Sequence, residues 1–278
     1  MSGSGNDFVF LDSRGTAPGQ DALESTAEIA ALCAPHLGVG ADGVVFIGDD
    51  PDARFSIRYY NADGSRASLC GNASLCAAQS AVLLGLAGRE ERFRFRSDAG
   101  LIDASIDAAG GAAVRLAAVQ ALETDAAEAL ETGELRLGYA VVGVPHLVVR
   151  VHDVAAVDVF GRGRALRQVP SRQPAGANVN FVSRRAGQGA DAGAGAAWAI
   201  RTYERGVEAE TLACGTGSVA TAACLVAWGE ADSGGPVRLE TASGRTLSVR
   251  FPEAPEWAWS ELAGEGRLVF EGVLRAHR

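Results

Sequence analysis

Two short segments of the chain hold residue types that can move a proton on carbon. They are Cys70-Gly71-Asn72-Ala73-Ser74-Leu75 and Cys214-Gly215-Thr216-Gly217-Ser218-Val219. In each, a Cys-Gly pair opens a run of small and apolar residues that reads as a helix buried on most sides. The unpaired N–H groups and dipole of a helix N-terminus favour negative charge. A thiol placed there can drop by a unit or more from its ordinary pKa of about 8.5, and the same N–H groups suit a carboxylate. If pseudo-two-fold symmetry joins the two helix ends in one cleft, an amino-acid Cα–H fits between two sulfurs. One thiolate removes the proton from one face and the other thiol delivers a proton to the opposite face. The outcome is inversion without cofactor or metal, with helix-end N–H groups stabilising the enolate-like carboxylate. The pair shares one proton, so it titrates as a dyad. A lone helical cysteine is ordinarily a small buried hydrophobe, and Cys33, Cys76 and Cys224, which lack the Cys-Gly context, read that way.

The two segments lie 144 residues apart, and the register extends beyond them. Without gaps, Tyr59 falls on Tyr203, Gly85 on Gly229, Arg94 on Arg238 and Gly100 on Gly244. Such persistence points to an internal duplication, with each copy running strand, loop, helix, strand, glycine turn and strand. The strands before the helices are Phe55–Tyr60 and Trp198–Tyr203. Both helices are expected to stop near a glycine suited to the C′ position, Gly85 or Gly229. Strands Arg92–Arg96 and Val237–Glu240 follow. Further strands are expected over Leu135–Val142, Leu147–His152, Asn178–Val182, Arg245–Phe251 and Arg267–Val273. The Gly/Ala tract Ala186–Ala197 reads as a hairpin tip without chemistry of its own. Domain boundaries are expected at 1–118, carrying Cys70 and completed by a C-terminal strand at 266–278, and at 119–265, carrying Cys214.

Composition removes several function classes. All 25 Lys+Arg residues are arginine. A pyridoxal-phosphate enzyme, a P-loop nucleotidase and a Schiff-base aldolase each need a lysine, so none can be built here. A net charge of −9 argues against nucleic acid or an anionic membrane as partner. No apolar run reaches the roughly 18 residues of a membrane span. The start, MSGSGNDFVF, has no signal-type pattern. Five cysteines with no C-x-x-C suit reduced thiols in a cytoplasm.

Further motifs carry a family resemblance. They are Gly3-Ser4-Gly5-Asn6-Asp7-Phe8, Gly38-Val39-Gly40-Ala41-Asp42-Gly43, Tyr60-Asn61-Ala62-Asp63-Gly64-Ser65 with Cys70-Gly71-Asn72, Pro145-His146, Asn178, and Glu204-Arg205-Gly206 running into Thr211-Leu212-Ala213-Cys214-Gly215-Thr216-Gly217. Together they resemble the diaminopimelate epimerase family of pyridoxal-phosphate-independent amino-acid epimerases. The resemblance implies an α+β fold of two pseudo-symmetric domains, each a curved mixed β-sheet or barrel around a central helix, with the active site between them. It implies that Cys70 and Cys214 are the acid/base pair, exchanging roles with reaction direction. Backbone amides around Gly71-Asn72 and Gly215-Thr216 would hold the reacting carboxylate, and Asn6 would help bind substrate. His146 and Glu204 would orient or activate the thiols, and Glu204 would also help bind substrate. Asn61, Asn178 and Arg205 would grip the distal amino-acid end, a task suited to an arginine fork. The implied function is interconversion of LL- and meso-2,6-diaminopimelate in lysine and peptidoglycan precursor synthesis, with a small-molecule substrate, no cofactor, no metal and a homodimeric state.

Three positions depart from the family pattern. Val144 replaces the polar residue common before Pro-His. Ala73-Ser74-Leu75 stands where Gly-Ala-Arg is usual, and only Met1-Ser2 precede the first glycine motif. The first two leave the thiol chemistry intact and keep open a second substrate class, a histidine- or proline-type amino acid.

Overall fold

The computed structural model describes residues 1–185, 198–251 and 258–274, and the Ala186–Ala197 tract lies outside them. The chain divides into two compact units, Met1–Ala112 with Glu265–Arg278, and Ala113–Gly264.

The first unit contains β1 (Ser2–Gly3), β2 (Asn6–Asp12), α1 (Thr26–Cys33), β3 (Gly43–Gly48), β4 (Ser56–Asn61), β5 (Arg66–Ala67), α2 (Gly71–Leu83), β6 (Arg92–Ser97) and β7 (Gly100–Ile106). β2 and β3 pair in parallel, which requires a crossover, and α1 lies in that crossover. β4 is antiparallel to β3 and parallel to β6, with α2 between them in sequence. α1 covers one face, burying Ile29 and Cys33 against Val44 and Phe46, with Val9, Leu11 and Tyr60 at the margin. α2 is buried along most of its length because it carries small side chains all round. The last described residues return to this unit, where Ser2 and Arg267 exchange both backbone hydrogen bonds, at 2.7 and 2.8 Å.

The second unit repeats the plan with β8 (Ala112–Leu116), β9 (Ala121–Glu123), β10 (Glu134–Val142), β11 (Val144–Val151), α3 (Val159–Arg167), β12 (Asn178–Arg184), β13 (Trp198–Glu204), β14 (Ala209–Thr211), α4 (Gly215–Ala227), β15 (Val237–Glu240), β16 (Thr246–Arg250) and β17 (Ser260–Gly264). β11 and β12 are parallel, β13 is antiparallel to β12 and β15 is parallel to β13. α3 seals one face over Leu147, Val149, Val179, Phe181 and Tyr203.

Helices α2 and α4 start and stop 144 residues apart at both ends. Each ends on a Schellman motif. The N–H of Gly85 bonds Val82 and that of Leu86 bonds Ala81; likewise Gly229 bonds Val226 and Glu230 bonds Leu225. Gly85 and Gly229 take the left-handed conformation this needs, at φ 67 and 72.

Three expectations need correction. The ungapped offset of 144 fails in the strand before the helix. Tyr203 faces the α3 cluster as Tyr60 faces the α1 cluster, so Tyr60 is its counterpart and Tyr59 is not. One extra residue between β13 and Cys214 accounts for this, and with a side-chain period of two a single step changes the face. Second, α1 and α3 occupy stretches read as strands and hairpins. They are short, at 8 and 9 residues, and α3 contains two glycines, so the periodic signal is weak. Third, Arg267–Val273 is not a strand. Of this segment only Arg267 pairs, in an isolated bridge to Ser2, because apolar and β-branched composition makes no strand without a neighbour to complete its hydrogen bonds.

Candidate active site

Extended backbone at Cys70 (φ −135, ψ 122) and Cys214 (φ −131, ψ 112) makes each the N-cap of its helix. The carbonyls of both accept the first intrahelical bond, from Ser74 and Ser218, each at 2.9 Å. Gly71, Asn72 and Gly215 are buried, and Thr216 is partly so.

In the first unit Asn6 ties the head of α2 to its surroundings. Its Nδ2 donates to Asp42 Oδ2 at 2.9 Å, and its Oδ1 accepts from Asn72 Nδ2 at 2.6 Å. Asp42 also accepts from the Asp7 N–H at 3.1 Å. Asn6 is therefore partly committed to positioning Asn72, and Asp42 is a supporting residue to which the sequence reading gave no role. Its signal was present in the Gly40-Ala41-Asp42-Gly43 motif. Asn61 is committed to its own turn, with Nδ2 donating to Ser65 Oγ at 3.0 Å.

The second unit brings together His146, Asn178, Glu204, Arg205 and the Cys214 loop. Asn178 Oδ1 accepts from the Arg205 N–H at 2.8 Å, and Arg205 Nη1 donates to the Ala175 carbonyl at 3.0 Å. Thr211 Oγ1 donates to Glu204 Oε1 at 2.6 Å. Cys214 Sγ accepts from the Gly217 N–H at 3.4 Å and lies 3.7 Å from Thr216 Oγ1. Burial pushes the Cys214 thiol well above its ordinary range. The Glu204 carboxylate pushes the same way, both by its charge and by accepting the thiol's hydrogen bond. The helix N–H of Gly217 pulls downward and loses, so the expected lowering is reversed at this cysteine. Cys33, Cys76 and Cys224 are buried, and desolvation lifts them to about 11, 12 and 12. Among the described residues no group of three or more His, Cys, Asp or Glu is arranged to hold a metal ion, and no helix is long and apolar enough to cross a membrane.

The family's sequence profile, described as diaminopimelate epimerase, matches residues 1–122 and 138–255. The chain belongs to the diaminopimelate epimerase family. A diaminopimelate epimerase of Gemmatimonas aurantiaca is 43% identical over 99% of this chain and 97% of its own. One from Aquifex aeolicus is 37% identical over 99% and 96%. Members bearing that name are isomerases, and this chain is an epimerase of that family. Among solved structures, a PhzF-family phenazine biosynthesis protein of Bacillus anthracis superposes with TM-score 0.69 at 16% identity, covering 95% of this chain and 91% of that one. A probable proline racemase of Agrobacterium radiobacter gives 0.61 at 18% identity, over 87% and 80%. These two likenesses concern the fold, which is the α+β architecture that the resemblance implied.

His146 and Asn180 form a buried polar pair within β11 and β12. His146 is fully buried, and desolvation aided by the Arg205 charge lowers its pKa from 6.5 to about 3. The unfolded chain thus takes up a proton that the folded ring refuses. Stability from the neutral ring is complete above pH 6.5 and is lost as pH falls toward 3, at up to about 1.4 kcal/mol per pH unit. In urea unfolding at pH 7, 6 and 5, His146→Phe is expected to gain on the wild type as pH falls. A constant difference between the two proteins would contradict this.

Proposed function

We propose that the chain interconverts LL- and meso-2,6-diaminopimelate with two thiols and no cofactor. The carrying observation is the twofold occurrence, 144 residues apart, of a cysteine capping a buried helix, within a chain of this family. A thiolate takes the α-proton, forming S–H and leaving the electron pair on an enolate-like carbon. The second thiol gives its proton to the opposite face and becomes thiolate, so charge and protons balance. Cys70 and Cys214 are the catalytic pair, each borne by one domain, 1–118 with its C-terminal completion and 119–265. Amides of Gly71-Asn72 and Gly215-Thr216 stabilise the carboxylate as charge develops. Glu204 keeps Cys214 protonated until substrate arrives, and Asn6, Asn61, Asn178 and Arg205 bind substrate, the last three at its distal end. The enzyme acts as a cytoplasmic homodimer in lysine and peptidoglycan precursor synthesis, with neither nucleic acid nor membrane as partner.

Incubation with LL-diaminopimelate in D2O, with reductant and without pyridoxal phosphate, tests the reading. Deuterium at one α-carbon with meso product is expected. Exchange confined to histidine, proline or another amino acid would overturn the substrate, and exchange into none would overturn the activity.

A further inference from the structure

Asn180 sits in the middle of β12 with no exposed surface, a costly place for a carboxamide unless its groups are paired. All are accounted for. Its Nδ2 donates to the Leu147 carbonyl at 3.0 Å and lies 3.3 Å from His146 Nδ1. Its Oδ1 accepts from Thr202 Oγ1 at 3.0 Å. A carbonyl can only accept, so the atom facing Leu147 must be the NH2, which fixes the orientation of the amide. The second hydrogen of that NH2 then meets His146 Nδ1, which must accept. The ring proton is therefore on Nε2. That atom is buried and has no hydrogen-bond partner among the described residues.

The first unit shows that the fold itself does not require this network. By strand register and face, Phe8 corresponds to His146, Val45 to Asn180 and Tyr59 to Thr202. There the seam is filled by apolar packing, with the Phe8 and Tyr59 rings edge to face at 6.0 Å. Only the copy carrying His146 keeps a polar set, and that set ends in an open donor.

We infer that Asn180 holds His146 in the Nε2–H tautomer, so that His146 serves the reaction as a neutral hydrogen-bond donor and not as a base. Asn180 is a positioning residue, acting only through the ring. The low pKa of the ring agrees, since a group that stays neutral down to pH 3 with its Nδ1 occupied cannot collect a thiol proton. What the donor serves rests on the epimerase reading; the tautomer does not.

Long-range 1H–15N spectra of histidine-labelled protein read the tautomer directly, with the His146 signals assigned by their loss in His146→Phe. The wild type is expected to show an unprotonated Nδ1 and a protonated Nε2. Asn180→Leu should give mixed tautomers, with kcat reduced about tenfold to a hundredfold and KM nearly unchanged. Thr202→Val, which removes only the anchor of Oδ1, should move both readouts the same way by less. A wild-type proton on Nδ1 would overturn the inference, as would mixed tautomers with full kcat. If the wild type shows the expected tautomer but no α-proton exchange with diaminopimelate, the tautomer assignment stands and the reaction assignment falls.

Discussion

Cys70→Ala and Cys214→Ala are each expected to lower epimerisation kcat by about a thousandfold or more, within the range that positioned acid–base groups contribute. The two variants should not fail identically. Inversion needs a proton taken on one face and returned on the other, so losing either thiol stops it. Proton exchange needs only one face. The enzyme left with Cys70 should still wash α-deuterium into one stereoisomer of the substrate, and the enzyme left with Cys214 into the other, without conversion between them. Measuring product by chiral chromatography and isotope by mass spectrometry on both isomers separates the two events. A single variant that epimerises at more than a few per cent of the wild-type rate would end the two-base scheme. So would two variants that exchange the same isomer, because each thiol would then no longer own a face.

The electrostatics of Cys214 bear on how that division is set. A helix N-terminus alone would lower a thiol, yet burial and the Glu204 carboxylate outweigh the Gly217 N–H and push Cys214 up. Cys214 therefore rests as a protonated thiol. The carboxylate that holds its hydrogen is itself tied down by Thr211 at 2.6 Å, so the donor is fixed in direction as well as in protonation.

Much of this was legible from residues because the chain states it twice. A repeated Cys-Gly before a run of small side chains locates the heads of α2 and α4 and the glycines that close them, since N-cap, small-residue body and C′ glycine agree in both copies. What could not be read depended on contacts remote in sequence. The sign of the Cys214 shift needs the burial of that sulfur and the return of Glu204 to it from β13. The one-residue slip between Tyr59 and Tyr60 needs strand pairing, because both tyrosines fit a strand equally well. Asn180 was visible as the second asparagine of Asn178-Val179-Asn180, a residue type depleted in strands. Only register puts it opposite Val148, next to His146 in the neighbouring strand and beneath the first turn of α4.

That last contact yields the other large expected effect. Gly217→Ala should destabilise the protein by about 3 kcal/mol, the upper end for adding a methyl to a filled core, and lower kcat by about a hundredfold. A Cβ at 217 would stand 2.3 Å from Asn180 Oδ1 and 3.2 Å from Cys214 Cβ. Retreat is blocked, because Thr202 holds that Oδ1 while Leu147 and His146 hold the other end of the amide. Admitting the methyl must break buried hydrogen bonds or shift the Cys214 cap, and the proposed site uses both. Position 73, the counterpart in α2, is already alanine and 1% exposed, and the first unit has Val45 at the strand position of Asn180. Ala73→Gly is the matched control and should cost no more than the intrinsic helix penalty of about 1 kcal/mol. Urea unfolding, kcat and the His146 15N spectrum of both variants decide the matter. Equal stability of Gly217→Ala and wild type, with an unchanged tautomer, would mean that the Asn180 amide is free to move and does not fix the ring.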